Sequence, residues 1–372
     1  MKNSLILETK YGYLVKDYNI AKKILTNKSF LQAGLEWKNF FDDPYAEELF
    51  NYLKDLFIFL DGENHDRLRK MVLPFFTKIK TEEYLIVGSK IIKNILNKID
   101  NKKLFDFNND ISEKYFSIFI AEILGIPVDK FDQLINLSNM ATNIVGLNFS
   151  QPFKETFESI EKLKKLLNEI INLRRSQPDE SIISNLCKIQ ELCDEEIAQI
   201  VSLLLVAGYT TSSAQLSFVM YRILNDNSIY RSIQKDLNII HDIIEETFFS
   251  YTAIKTIAKK TSQDIILDNF LFKKNTLVII DIDRINKKQF KINPNNPSYI
   301  SFGFGAHACI GMYMAKNQIS MVIKAVFESF EDLKINGNIL FSQESSVFNK
   351  ITEFPVKYDS IYIDNLEKVG DI

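Results

Sequence analysis

Apolar residues recur three and four positions apart along much of the chain, as in TEEYLIVGSKIIKNILNKI (81–99) and FKETFESIEKLKKLLNEIINLRR (153–175). That period predicts amphipathic helices. A third stretch, EEIAQIVSLLLVAGYTTSSAQLSFVMYRIL (195–224), is long and strongly apolar and predicts another helix with a weak point inside it. There Ala207 and Gly208 are followed by Thr210, Thr211, Ser212 and Ser213. Glycine costs about 1 kcal/mol in a helix interior and hydroxyls compete for backbone carbonyls, so a bulge or kink is expected, unless the small residues form a packing notch. Residues 312–333 predict a helix that starts directly after Cys309. Runs rich in isoleucine, valine and phenylalanine at 255–282 and in VFNKITEFPVKY (347–358) predict strands. The expected fold class is mainly α, with small sheets beside the helices. No repeat, low-complexity linker or long charge block divides the sequence, so residues 1–372 are expected to form one domain.

Composition and charge narrow the function. With 46% hydrophobic residues among 372, the chain can bury a large core. Lysine and arginine number 45 against 48 aspartates and glutamates, a net charge of -3, which gives no general attraction to nucleic acid or an anionic membrane. No apolar run reads as a signal peptide or membrane anchor, so the cytoplasm is the expected compartment. Cys187, Cys193 and Cys309 are an odd set, and the first two do not share a helix face, which argues against a disulfide framework.

The candidate chemistry lies in SFGFGAHACIGMYMAK (301–316). A cysteine just ahead of a helix faces unpaired backbone N–H groups and the positive end of the helix dipole, which favour its thiolate by about 0.3–1 kcal/mol. Gly303, Gly305 and Gly311 let the backbone bend tightly and let a flat, bulky group approach. Three readings stand beside one another: a small core cysteine, a zinc site for which His307 and Cys309 supply only two ligands, and a haem held by one thiolate.

The full spacing, Phe302-Gly303-x-Gly305-x-His307-x-Cys309-Ile310-Gly311 before a helix, resembles the haem-binding loop of bacterial cytochromes P-450. The resemblance runs from about residue 12 to 358. DGENHDRLRKMVLPFFT (61–77) is similar to the family's C-helix, AEILGIPVDKFDQL (121–134) to its helix E to F region, and RRSQPDESIISNL (174–186) to the stretch before its long central helix. VFNKITEFPVKY resembles its terminal substrate-lining hairpin. The likeness implies the cytochrome P-450 fold, a large helical domain with small β-sheets around a buried haem, and Cys309 as the axial thiolate of the iron. It also places Phe302, Gly303, Ile310 and Gly311 in the haem loop. His65, Arg69 and His307 would meet the haem propionates. Lys259 stands where the family generally has a propionate arginine, keeping the charge and losing the bidentate fork. Ala207 and Gly208 would make room for oxygen, and Thr211 would support proton delivery.

Three departures from the family pattern follow from the same alignment. Thr210 occupies the position of an acid, and a hydroxyl is no proton reservoir at neutral pH. The Glu-x-x-Arg of the family's K-helix reads Glu246-Thr247-Phe248-Phe249 here, and Pro294 replaces the arginine that usually completes that network. Between Arg284 and Phe290 the chain is about five residues shorter than the family, by comparison. Removing one member of a buried ion network costs about 3–5 kcal/mol, whereas replacing several by apolar groups can be neutral, so joint loss is the survivable route. Phe249 is therefore expected to pack as an apolar residue, with Glu246 protonated or newly paired.

The resemblance implies a monooxygenase that uses haem b (iron protoporphyrin IX) and dioxygen to hydroxylate or couple a small organic or carrier-protein-bound substrate, in secondary metabolism. Electrons would come from a ferredoxin or flavodoxin docking near the cysteine, where Lys316, Arg67 and Lys70 lie. Phenylalanines in WKNFFDDPYAEELFNYLKDLFIF (37–59) suit an apolar substrate, and core packing explains them as well. Thr210 motivates a peroxide-driven alternative, and the lost arginines motivate a haem-binding protein without turnover.

Overall fold

A computed structural model describes residues 5–33, 41–99, 103–145, 152–293, 298–342 and 345–361. Among them are thirteen α-helices: α1 (Tyr18–Thr26), α2 (Pro44–Leu53), α3 (Gly62–Val72), α4 (Lys78–Leu96), α5 (Lys114–Leu124), α6 (Phe131–Val145), α7 (Phe153–Ser176), α8 (Ile182–Leu186), α9 (Asp194–Leu224), α10 (Asn227–Lys235), α11 (Ile240–Ser250), α12 (Ile282–Ile292) and α13 (Met312–Ser329). Local chemistry sets many of their starts. Asp17 accepts the N–H groups of Asn19 and Ile20 ahead of α1, Asp43 that of Tyr45 ahead of α2, and Thr77 that of Lys80 ahead of α4. Gly125 ends α5 with a φ of 85°, which a glycine adopts freely.

Helix α9 is the spine. It is buried along nearly its whole length, from Ile197 to Ile223, and α5, α7, α11 and α13 pack around it. It is the one helix among the described residues long and apolar enough to cross a membrane, and 72% of its most apolar 18-residue stretch is covered by the rest of the protein. A second, smaller core lies under a five-stranded sheet ordered Ile6–Thr9, Gly12–Val15, Leu277–Asp281, Thr256–Thr261 and Phe30–Gln32, with α1 and α12 against it. Gly12–Val15 pairs parallel to Leu277–Asp281, and the other contacts in that sheet are antiparallel.

The expected helices occur at 78–96, 153–176 and 194–224. The last differs from expectation in one respect: hydrogen bonding runs unbroken through Ala207 to Ser213. Thr211 Oγ1 donates to the Ala207 carbonyl at 2.7 Å within its own helix, and a Cβ on Gly208 would meet Ile120 Cδ1 at 3.0 Å. The small residues thus form the packing notch, which admits α5. The irregular helix lies beside it, a π-helix over Phe107–Glu113, where Ser112 Oγ donates to the Ser213 carbonyl at 2.7 Å. Helix α13 ends at Ser329, four residues earlier than expected, because Phe330–Glu331 pairs as a strand with Ser360–Ile361. The predicted strand regions contain Thr256–Thr261, Ile265–Leu267, Phe270–Phe272 and Leu277–Asp281, then Ile351–Glu353 and Pro355–Lys357.

Candidate active site

The Cys309 loop is a closed backbone turn. Cys309 N–H donates to the Phe302 carbonyl at 2.8 Å, Gly303 N–H to that of Ile300 at 2.9 Å, and Ala308 N–H to that of Gly305 at 3.1 Å. Gly303 and Gly305 hold φ values of 65° and 72°, where a side chain is strained. A Cβ on Gly305 would also stand 2.8 Å from the Leu25 carbonyl, so this glycine seats the loop on the end of α1. At Gly311 there is room, with Phe76 carbons at 3.8 Å.

The sulfur sits where α13 begins. Burial pushes the Cys309 thiol up, and the N–H groups of Gly311 and Met312, with the charge of Arg69, pull against that shift. Cys309 is nonetheless exposed. Protein crowds the sulfur while the residue stays exposed, so it is free to meet a ligand. Ala207 gives the same signal, being exposed on a helix whose preceding residues 201–206 are all buried. Phe302 and Ile310 are half-buried against the large core. A cleft of about 720 Å³ between α2, α7 and the start of α9, reached by Tyr52, Lys164 and Gln199, includes none of these residues.

Helix α3 delivers the polar side of the site. His65 is buried, and its ring centroid lies 4.0 Å from that of His307, with the planes at 39°. His65 Nδ1 bonds Asp66 at 2.9 Å, while Nε2 is buried with no partner. Arg69, one turn on, donates to the Ala308 carbonyl at 2.6 Å and so clamps the loop one residue before the cysteine. His307 Nε2 stands 3.5 Å from Asp61 Oδ1, and burial pulls this imidazole down. Lys259, on the strand Thr256–Thr261, is 3% exposed, and burial brings its ammonium down to about 8, with Asp61 opposing. An orphaned imidazole nitrogen and a buried ammonium, both near His307, suit a ligand that brings its own carboxylates, so the donor set fits a haem with its two propionates.

Asp61 joins this cluster without having been singled out in the sequence. Its position before Gly62 suggests a helix cap, yet it makes no cap bond; its carboxylate accepts the Gln32 N–H at 2.7 Å and faces His307. Burial raises its carboxyl, but the bonds from His307 and Gln32 and the Lys259 charge hold it below the usual range. Asn286 is a second addition. This fully buried amide donates to the Phe248 carbonyl at 3.1 Å and Ser301 Oγ at 2.8 Å, and accepts the Ile300 N–H at 3.0 Å, so it ties α11 and α12 to the loop.

The hydroxyls of Thr210 and Thr211 differ. Thr211 is satisfied by Ala207, whereas Thr210 Oγ1 is buried and unpartnered. On α11, Glu246 pairs with Arg222 of α9, and Phe249 is 4% exposed, with rings of Phe290 and Tyr299 at 5.6 and 5.0 Å. Pro294, Trp37 and Phe40 lie outside the described residues. Lys316 is drawn into a pair with Glu245 at 2.5 Å, and Arg67 pairs with Glu196, so only Lys70 of the three cations considered for a partner surface stands exposed and outside an ion pair among the described residues.

Comparison with known proteins accords with this arrangement. The family model described as Cytochrome P450 matches residues 4–348. Cytochrome P450(BM-1) of Priestia megaterium is 24% identical over 336 residues, covering 86% of this chain and 82% of that protein. The biotin biosynthesis cytochrome P450 of Bacillus subtilis is 23% identical over 327 residues, covering 84% and 82%. Among solved structures, P450BioI in complex with hexadec-9Z-enoic acid ligated acyl carrier protein is similar at a TM-score of 0.88, with 21% identity and 96% of each chain covered. CYP109E1 from Bacillus megaterium in complex with testosterone gives 0.82, with 19% identity and 96% of each chain covered.

Two predictions follow from the buried charges. Lys259 binds its proton more weakly when folded than the 10.5 of a free lysine, so the unfolded chain holds more protons between about 8 and 10.5, and stability rises with pH across that window. Denaturant unfolding of the haem-free protein at pH 7.5 and 10 will show wild type gaining roughly 2 kcal/mol over Lys259→Met. Equal slopes would contradict this. Phe249→Arg, which restores the family's cation, will cost about 3–5 kcal/mol and will not raise haem occupancy, since Glu246 is already committed to Arg222; a gain in either quantity would contradict apolar replacement of the network.

Proposed function

From the premise that the chain belongs to the cytochrome P450 family and is a monooxygenase of that family, we propose that Cys309 binds the iron of haem b as a thiolate and that the protein oxidises an apolar or carrier-bound acyl substrate. The observation that carries the reading is the pairing of an accessible but enclosed Cys309 sulfur at the start of α13 with a buried, unpartnered His65 Nε2. Bound haem supplies dioxygen activation and transfer of one oxygen atom, given electrons and protons from outside.

The chain's own residues do the rest. The Gly311 and Met312 N–H groups hold negative charge at Cys309 Sγ, and Arg69 both adds a cation and fixes the Ala308 carbonyl. His65, His307 and Lys259 would bind the propionates, relieving the orphaned imidazole nitrogen and strengthening the lysine's hold on its proton. Phe302, Gly303, Ile310 and Gly311 would line the haem on the side of Cys309, and Ala207 and Gly208 would line it from α9. Thr211 Oγ1 donates to Ala207 and keeps its lone pairs for a water; Thr210 Oγ1, buried with no partner, would serve as a second hydroxyl in the relay. Because Thr210 is no acid, the proton arrives by water rather than from a resident carboxylate.

A long acyl chain, presented free or on a carrier protein, is favoured by the likeness to the P450BioI complex. Electrons come from a ferredoxin or flavodoxin approaching near Lys70, since Lys316 and Arg67 are engaged within the fold. Thr210 also favours a second reading, in which hydrogen peroxide drives the reaction and bypasses the proton relay. Product formation from free and carrier-bound acyl chains, measured under labelled dioxygen with a ferredoxin system and separately with peroxide, tests both. Faster donor-driven turnover with one labelled oxygen in product is expected; faster peroxide-driven turnover would transfer the assignment to the second reading, and no product under either would contradict both.

A further inference from the structure

Residues 299–302 lead into the Cys309 loop, and three elements converge on them. Lys316 Nζ, from α13, lies 2.5 Å from Glu245 Oε1 of α11 and donates to the Tyr299 hydroxyl at 2.7 Å. That hydroxyl in turn donates to Glu245 Oε2 at 2.7 Å, which closes a triangle in which every group has its complement. Burial, and then the Glu245 carboxylate, raise the Tyr299 phenol, so it stays a donor across any working pH. The ammonium also sits over the rings of Phe302, Tyr299 and Phe248 at 5.3, 5.5 and 5.8 Å. Phe302 is the residue whose carbonyl receives the Cys309 N–H. A cation seven positions after the cysteine therefore reaches back to the residue that closes the cysteine's own turn.

We propose that Lys316, acting through Glu245 and Tyr299, is a positioning residue that locks the Cys309 loop to α11, in the place where the buried arginine network is missing. The triangle ties the start of the loop to the helix on its far side, so neither Phe302 nor the first turn of α13 moves without breaking charge-assisted bonds. Asn286 also holds Ile300 and Ser301 against α11, but α13 is joined to this segment through Lys316. The inference rests on Cys309 as the haem ligand only in one of its two readouts.

The first readout is amide hydrogen exchange in the haem-free protein at Cys309 and Gly303, whose N–H groups close the loop. In Lys316→Met, exchange at both rises about tenfold or more while α9 amides stay as in wild type. The second is haem transfer from loaded protein to excess apomyoglobin, which becomes roughly tenfold faster in the same variant. Lys316→Arg, which keeps the charge, holds both within about threefold of wild type, and Glu245→Gln shows an intermediate loss. Unchanged exchange at Cys309 and Gly303 in Lys316→Met overturns the proposal, as does a rise shared equally by α9. Wild-type protein that takes up no haem would remove Cys309 as ligand, and exchange at the two amides would then support or overturn the positioning role by itself.

Discussion

The backbone N–H groups of Gly311 and Met312 and the charge of Arg69 draw the Cys309 thiol toward its thiolate against the effect of burial, and keeping those groups near the sulfur constrains everything around it. An inward thiol is pushed toward its neutral form by burial, so the donors and the Arg69 cation must be held in place without help from water. The loop meets this through two left-handed glycines, three backbone bonds and a clamp from α3 onto Ala308. Helix α9 meets it by offering an exposed alanine, Ala207, while Gly208 lets Ile120 of α5 pack closely against the same helix.

The polar wall shows the complementary economy. Lys259, His65, His307 and Asp61 leave one imidazole nitrogen unsatisfied and one ammonium whose hold on its proton is weakened by burial. Such an arrangement is uncomfortable in isolation and comfortable around two carboxylates. On the other side of the loop, the charges have been redistributed rather than removed. Glu246 turns to Arg222, the adjacent Glu245 takes Lys316 and Tyr299, and Phe249 fills the gap among Phe290 and Tyr299. A loss that would be severe for one arginine alone is spread over a repacked aromatic cluster.

Much of this was legible in the chain because it is local. The helices at 78–96, 153–176 and 194–224 follow apolar periodicity, and the spacing around Cys309 is tied to one loop geometry. What escaped depends on partners distant in sequence. Phe330 leaves α13 because Ser360–Ile361 pairs with it, and the small residues of α9 keep their helix because Ile120 occupies the notch. Asp61 draws no notice in the sequence because its partners, Gln32 and His307, are distant along the chain. Lys316 reads as a surface cation because its sequence gives no hint that Glu245 and Tyr299 flank it, and Asn286 reads as an ordinary polar residue in a shortened connection.

The central claim is that Cys309 is a thiolate ligand of haem despite the missing arginines. Its most direct measurement is the absorbance of haem-loaded protein, reduced and exposed to carbon monoxide, for wild type beside Cys309→His. A strongly red-shifted Soret band in wild type, absent in Cys309→His, is the predicted result. The same unshifted band in both proteins, at full haem occupancy and without an inactivated fraction, would contradict the account and favour a haem-binding protein without turnover.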